Sequence, residues 1–161
     1  MPGVKVHRAD PTELSRVMTI EHACFGRDRF NTNTVRAFLE REDAFVLLAT
    51  EDDRAVGAAM CMFSTRCAEG RIASIAVIPG FRKRGVGKKL LNECEMMLRS
   101  KGVKKLGLEV DTNNEPAMSL YTSRGYLLRG MAKNYYSDGR DAYYMEKEVH
   151  PSTKKVRIKP S

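Results

Sequence analysis

The segment Ile75 to Leu90, IAVIPGFRKRGVGKKL, constrains this chain most. An apolar run with strand character ends at Pro79-Gly80. Two glycines, Gly85 and Gly87, follow among five basic residues: Arg82, Lys83, Arg84, Lys88 and Lys89. Beyond them Leu90, Leu91, Cys94, Met97 and Leu98 recur at helical spacing. Strand, glycine-rich basic turn and helix together make an anion cradle. The first N–H groups of a helix have no internal partners and carry the positive end of its dipole. Glycine lets the backbone come close to a bound anion, and a phosphate there gains several N–H bonds.

Around this segment the hydrophobic pattern alternates between short strands and helices. Strands are expected at Lys5–Arg8, Ala44–Thr50, Ala55–Phe63, Arg71–Ile78, Lys105–Val110, Tyr126–Tyr136 and Asp141–Val149. Helices are expected after Asp10-Pro11, from Asn31 to Glu40 with Asn31 or Asn33 as N-cap, from Val86 to Gly102, and from Asn113 or Asn114 to Gly125. Ser137-Asp138-Gly139-Arg140 reads as the tight turn of a final hairpin. The order β-α-α-β-β-β-α-β-α-β-β predicts an α/β fold of mixed α+β type. About seven strands in a mixed, mostly antiparallel central sheet would be flanked by about four helices. Residues 1–149 are expected to form one domain, and 150–161 a basic tail that is loosely held.

The net charge is +8, and it is local: Arg82 to Lys105 holds nine basic residues and two acidic ones. That points to an anionic partner. The longest apolar runs are far below the ~20 residues that span a bilayer, and MPGVKVHRAD has no signal-peptide core, so a cytoplasmic protein without a membrane role is expected. Cys24, Cys61, Cys67 and Cys94 show no CxxC spacing and no clustered histidine. Buried structural thiols, and no metal site, are the expectation.

The cradle fails two nucleotide motifs on single residues. Val86 stands where a Walker A loop needs lysine, and Leu90 stands where a dinucleotide fingerprint needs its third glycine. What fits is R-x-x-G-x-G at Arg82, Gly85 and Gly87, which resembles the acetyl-CoA pyrophosphate loop of the GNAT N-acetyltransferase superfamily. Asn114 to Tyr126 resembles the family's N-x-x-A-x-x-L-Y-x-x-x-G-[FY] signature. Tyr135 to Ala142 resembles the Y-Y-x-D-G-x-D-A segment of N-terminal protein acetyltransferases, the RimI-like branch. These matches cover Arg71 to Glu146; the first seventy residues match in element order alone.

The resemblance implies acetyl-CoA as cosubstrate. The backbone of Ile75, Ala76 and Val77 would pair with the pantetheine arm. Backbone groups over Lys83, Arg84, Gly85, Val86, Gly87 and Lys88 would hold the pyrophosphate, with charge from Arg82, Arg84 and Lys88. Asn114 would bond the pantetheine side. Glu109 would be the base, Tyr121 the acid for the leaving thiolate, and Tyr135 and Tyr136 would line the peptide slot. Strand alternation independently sets Gly107 and Glu109 on the face opposite Leu106, Leu108 and Val110. A departure is Cys24-Phe25-Gly26-Arg27-Asp28-Arg29-Phe30, which lacks the branch's proline and adds two arginines. Glu21 and Asp28 are further carboxylates without a rank. The implied acceptor is a protein N-terminal α-amine, attacked in a ternary complex. A lysine or small-amine acetyltransferase remains an alternative, as do a nucleic-acid or ribosome-binding module and a non-catalytic acetyl-CoA binder. A ribosome contact through the basic tail is a further expectation.

Overall fold

The computed structural model describes residues 3–151. One seven-stranded sheet runs through it in the order β1-β2-β3-β4-β5-β7-β6. The strands are β1 (Lys5–Arg8), β2 (Ala44–Glu51), β3 (Arg54–Ser64), β4 (Glu69–Val77), β5 (Lys105–Asp111), β6 (Leu127–Ala132) and β7 (Ala142–Glu148). The helices are α1 (Leu14–Cys24), α2 (Thr32–Glu40), α3 (Val86–Ser100) and α4 (Glu115–Ser123). Every neighbouring pair is antiparallel except β4 and β5. This is the expected mixed α/β architecture.

Local chemistry sets the helix starts. Asp10 and Glu13 form a capping box around a 3-10 turn, Pro11–Glu13, that leads into α1. Asn31, not Asn33, caps α2 by accepting from Thr34 N–H at 2.8 Å. Consecutive residues of β2 and β3, Ala44–Ala49 and Val56–Cys61, are buried, so both sheet faces are covered. Val17 and Ile20 of α1 and Val35, Phe38 and Leu39 of α2 cover one face; Leu90, Leu91, Cys94 and Leu98 of α3 cover the other.

One register irregularity shapes the sheet. Met60 pairs with Ser74, but Cys61 pairs with Ile72, so Ala73 is an extra residue in β4. Such a bulge bends its strand. The parallel ladder to β5 holds only at Glu69↔Lys105, Gly70↔Leu106 and Arg71↔Gly107. Past that point β4 pairs only with β3, and β5 only with β7. The sheet opens into a wedge with a backbone edge on each side.

Two expectations are corrected. The last hairpin does not continue to the Asp-Gly turn, because β6 stops at Ala132 and β7 starts at Ala142. The turn exists, with Tyr136 N–H on Arg140 O at 3.1 Å and Gly139 N–H on Tyr136 O at 2.9 Å. Gly139 takes the left-handed φ of +92° that a three-residue turn requires. It sits at the tip of a loop, Lys133 to Asp141, that leaves the sheet. Asn134, at φ +53°, turns the chain out, and its N–H is held by Asp141 at 2.9 Å. Second, Cys67 is exposed; Cys61 and Cys94 are buried as expected, and Cys24 is half-buried.

Candidate active site

A cavity of about 500 Å³ fills the wedge. It lies in the plane of the sheet, so side chains from both faces of β5 border it: Leu108 and Val110 from one, Glu109 from the other. Of the residues expected from sequence, Ile75, Glu109, Asn114, Tyr121, Tyr135 and Tyr136 meet there. Ala76 is buried and Val77 partly buried; neither borders the cavity.

Glu109 is the fifth of seven residues in β5. Its Oε1 lies 2.5 Å from Arg71 Nη2, yet that oxygen is buried and accepts no aligned hydrogen bond among the described residues. The contact is a close ion pair, and Oε1 keeps room to accept a further hydrogen bond. Arg71 also donates to Tyr135 Oη at 3.1 Å. Arg71 thus links the carboxylate to the tyrosine pair. Sequence reading missed it, since its position depends on a parallel register that no local pattern encodes.

Tyr121, from α4, is 8% exposed. Burial pushes its hydroxyl well above the usual tyrosine value, with Cys94 and Tyr136 adding to the effect. Its ring packs edge-on to Tyr126 at 5.8 Å. Asn114 caps α4 by accepting from Ala117 N–H at 3.2 Å, a role its amide oxygen fills while its amino group stays available to the cavity.

Tyr135 and Tyr136 meet edge to face, with centroids 5.0 Å apart. Burial, then the charge of Asp111, pushes Tyr136 up to about 12. Arg140 lies 4.7 Å above its ring and bridges Asp28 at 3.0 Å and Asp138 at 2.8 Å, with Asp111 as a third partner. Asp28 Oδ1 also accepts Ser137 N–H at 2.9 Å. This clamp ties the α1–α2 loop to the β6–β7 loop across the mouth of the wedge. Asp28 was visible in the sequence without a role, whereas Arg140 gave no signal beyond its place in the motif.

Glu21, on α1, is 2% exposed and borders the cavity. It accepts Phe30 N–H at 2.8 Å. Burial raises its pKa above the ordinary 4.5, opposed by that hydrogen bond and by Arg29. Cys24 also borders the cavity. Burial pushes its thiol up, with Arg82 opposing, so at neutral pH it is not a thiolate nucleophile.

The basic loop sits beyond the end of β4. Lys83 and Gly85 both take left-handed φ, +64° and +83°. The α3 N-cap is Gly85, which has no side chain to cap with. That leaves a concave set of N–H groups with the dipole behind it. The arginines are less free than the sequence suggests. Arg82 Nε donates to Val77 O at 2.8 Å, and Arg84 stacks on Phe81 and faces Glu51 at 3.5 Å. Val86 is buried, so only its backbone can serve the loop, while Gly87 is half-buried and Lys83 and Lys88 are exposed.

The split parallel pair, the glycine-capped start of α3 beyond the end of β4, and a tyrosine and a carboxylate that border the same cavity are the features to set beside known proteins. The model of the acetyltransferase (GNAT) family matches residues 14–126, and the chain belongs to that family. It is 29% identical over 111 residues to N-alpha-acetyltransferase 30 of Schizosaccharomyces pombe, covering 67% of this chain and 74% of that protein. It is 29% identical over 134 residues to a putative ribosomal protein bS18-alanine N-acetyltransferase of Bacillus subtilis, covering 83% and 87%. The crystal structure of the Escherichia coli ribosomal-protein-S18-alanine N-acetyltransferase has the same fold, with TM-score 0.82, 24% identity and coverage of 94% and 97%. No helix among the described residues is long and apolar enough to cross a membrane.

Proposed function

We propose that this chain transfers the acetyl group of acetyl-CoA to the α-amine of a protein N-terminus. The observation that carries this is the wedge: an open backbone edge on β4, a carboxylate on β5 and a tyrosine pair at the mouth, all on one cavity. The pantetheine arm would add to the β4 edge at Ile75–Val77 like an extra strand. The N–H groups from Lys83 to Lys88 would take the pyrophosphate, with Lys83 and Lys88 as charges that have no ion-pair partner among the described residues. Tyr135 and Tyr136 would hold the peptide's first backbone groups. Relatives named as bS18-alanine N-acetyltransferase and N-alpha-acetyltransferase support the acceptor class.

In the reaction, the neutral amine attacks the thioester carbonyl and forms the new C–N bond. The C–S bond then breaks and the electron pair leaves on sulfur. Glu109 accepts the amine's proton. Tyr121 is far less acidic than a thiol of pKa ~8.5, so its part is to donate a hydrogen bond to the leaving sulfur, and the thiolate collects its proton from solvent. No cysteine lies in a matched motif, which agrees with direct attack in a ternary complex. A reference α-amine of pKa ~7.7–8.0 is roughly one-third neutral at pH ~7.5, whereas a lysine at ~10.4 is about one part in a thousand. One modest base therefore suffices for an α-amine.

The test is a panel of short peptides with free termini, run beside N-blocked peptides that carry lysine. Turnover confined to free termini is expected. Turnover of blocked, lysine-bearing peptides would overturn the α-amine assignment. The tail expected to contact the ribosome lies outside the described residues beyond residue 151.

A further inference from the structure

The α1–α2 loop borders two cavities, and from Gly26 to Asn31 its residues alternate between them. Gly26, Asp28 and Phe30 face the wedge. Arg27, Arg29 and Asn31 face a second, open hollow of about 540 Å³ on the outer side, lined also by Met18, His22 and Thr32. The two sides differ in charge. The wedge holds four carboxylates, Glu21, Asp28, Glu109 and Asp111. Two guanidiniums, Arg71 and Arg140, offset them. The outer cavity has two exposed arginines, and neither has an ion-pair partner among the described residues. Asp28, between them in sequence, is turned to Ser137 and Arg140. Arg29 uses one nitrogen on Gly26 O at 3.0 Å, and its charge opposes that of Glu21. The N-terminus of the nine-residue α2 adds its dipole, since Asn31 caps only the Thr34 N–H.

We propose that the outer face of this loop reads acidic side chains of the substrate a few residues behind the amine being acetylated. This rests on the N-terminal acceptor reading above. The substrate's ammonium is drawn to the anionic wedge, and the chain behind it crosses one loop thickness to reach Arg27 and Arg29. Extended chain advances ~3.3–3.6 Å per residue, so side chains a few residues behind the amine are the ones that can lie beyond the loop. Aspartate or glutamate at about positions 3 to 5 of the substrate would then meet the arginines. Both guanidiniums are exposed, so each contact falls in the range of surface pairs, a factor of about 1.4 to 5 in affinity.

The experiment uses peptides that share their first two residues and carry Glu, Gln or Lys at positions 3 to 5. They are assayed on the wild type, on Arg27→Ser/Arg29→Ser, and on Arg27→Lys/Arg29→Lys. For the wild type, a KM about 3- to 10-fold lower for the Glu peptide than for the Gln peptide is expected, at equal kcat. That ratio should collapse to one in the serine variant and in ~0.5 M NaCl, and return in the lysine variant. Equal KM values on the wild type, or a preference that survives the serine variant, overturn the proposal. If no peptide is acetylated, the acceptor reading fails separately. Fluorescence anisotropy of the labelled peptides on CoA-loaded protein then decides this inference: tighter Glu-peptide binding that needs the arginines upholds it, and equal binding ends it.

Discussion

Replacing Glu109 by glutamine tests the chemistry with little disturbance of the fold. The side chain keeps its shape. Arg71 Nη2, 2.5 Å from Oε1, orients the new amide with its oxygen toward the guanidinium. The amino group is then left facing the cavity, where a donor cannot accept the amine's proton. A general base contributes about 10²–10⁴ in rate. The α-amine is already partly neutral, so the lower end applies, and kcat should fall about 100-fold at saturating substrates. The structural cost is small: Arg71 is 38% exposed and Glu109 14%, so the ion pair is worth about 1 kcal/mol at most. Arg71 also keeps its bond to Tyr135. In a domain of this size that is about 2–4 °C in Tm. The assay is release of the CoA thiol at pH ~7.5, read beside the acetyl-CoA Kd and the Tm. A kcat within about fivefold of wild type, with acetyl-CoA still bound, would refute Glu109 as base and pass the role to Glu21, the most deeply buried carboxylate on the cavity.

Three further outcomes follow from the interior. Glu21→Gln should raise stability at neutral pH: the folded pKa lies above the ordinary 4.5, so folding loses stability as pH rises through that window, and a neutral amide can still accept Phe30 N–H. Equal urea midpoints for wild type and variant from pH ~4 to ~8 would contradict this. Tyr126→Phe removes the donor to Glu95 Oε2 at 2.8 Å, while Lys147 still holds Oε1 at 3.0 Å. Stranding that oxygen on a residue 7% exposed should cost about 1–3 kcal/mol, several degrees in a melting scan, and an unchanged Tm would refute it. Ultraviolet titration should find Tyr136 and Tyr144 ionising at about 12. Burial is the first cause for both, with Asp111 adding at Tyr136 and Glu146 at Tyr144. The unfolded chain releases those protons near ~10, so stability is full below ~10 and falls as pH rises toward 12. A constant urea midpoint across that range would exclude the burial argument.

The sequence carried the parts of the site that repeat locally. Strand alternation put Glu109 on the face away from Leu108, and glycine spacing marked the turn into α3. Asn114 served as both cap and cavity residue from one motif. What stayed hidden depends on register. Arg71 reaches Glu109 only because β4 pairs with β5 for three residues and then departs, and a single extra residue, Ala73, is invisible in an apolar run such as IASIAV. The last hairpin was misread for the opposite reason. Asp138-Gly139 is a strong local signal and does form its turn, but Asn134, Asp141 and the Arg140 clamp pull the flanking residues out of the sheet. Local propensity fixed the turn; contacts to Asp28, more than a hundred residues away, fixed where it stands.

The bulge also explains how an exposed strand edge is tolerated inside the sheet. Unpaired N–H and C=O groups on a strand invite any extended chain. Here the two open edges face each other across the wedge rather than solvent. The Asp28–Arg140 clamp and the edge-to-face tyrosines stand at the mouth. The device that keeps the edge from pairing indiscriminately would also be the one that selects substrates. On the function proposed above, it would admit a thioester arm along the β4 edge and a free chain terminus past the tyrosine pair, and would bring them together beside Glu109 and Tyr121.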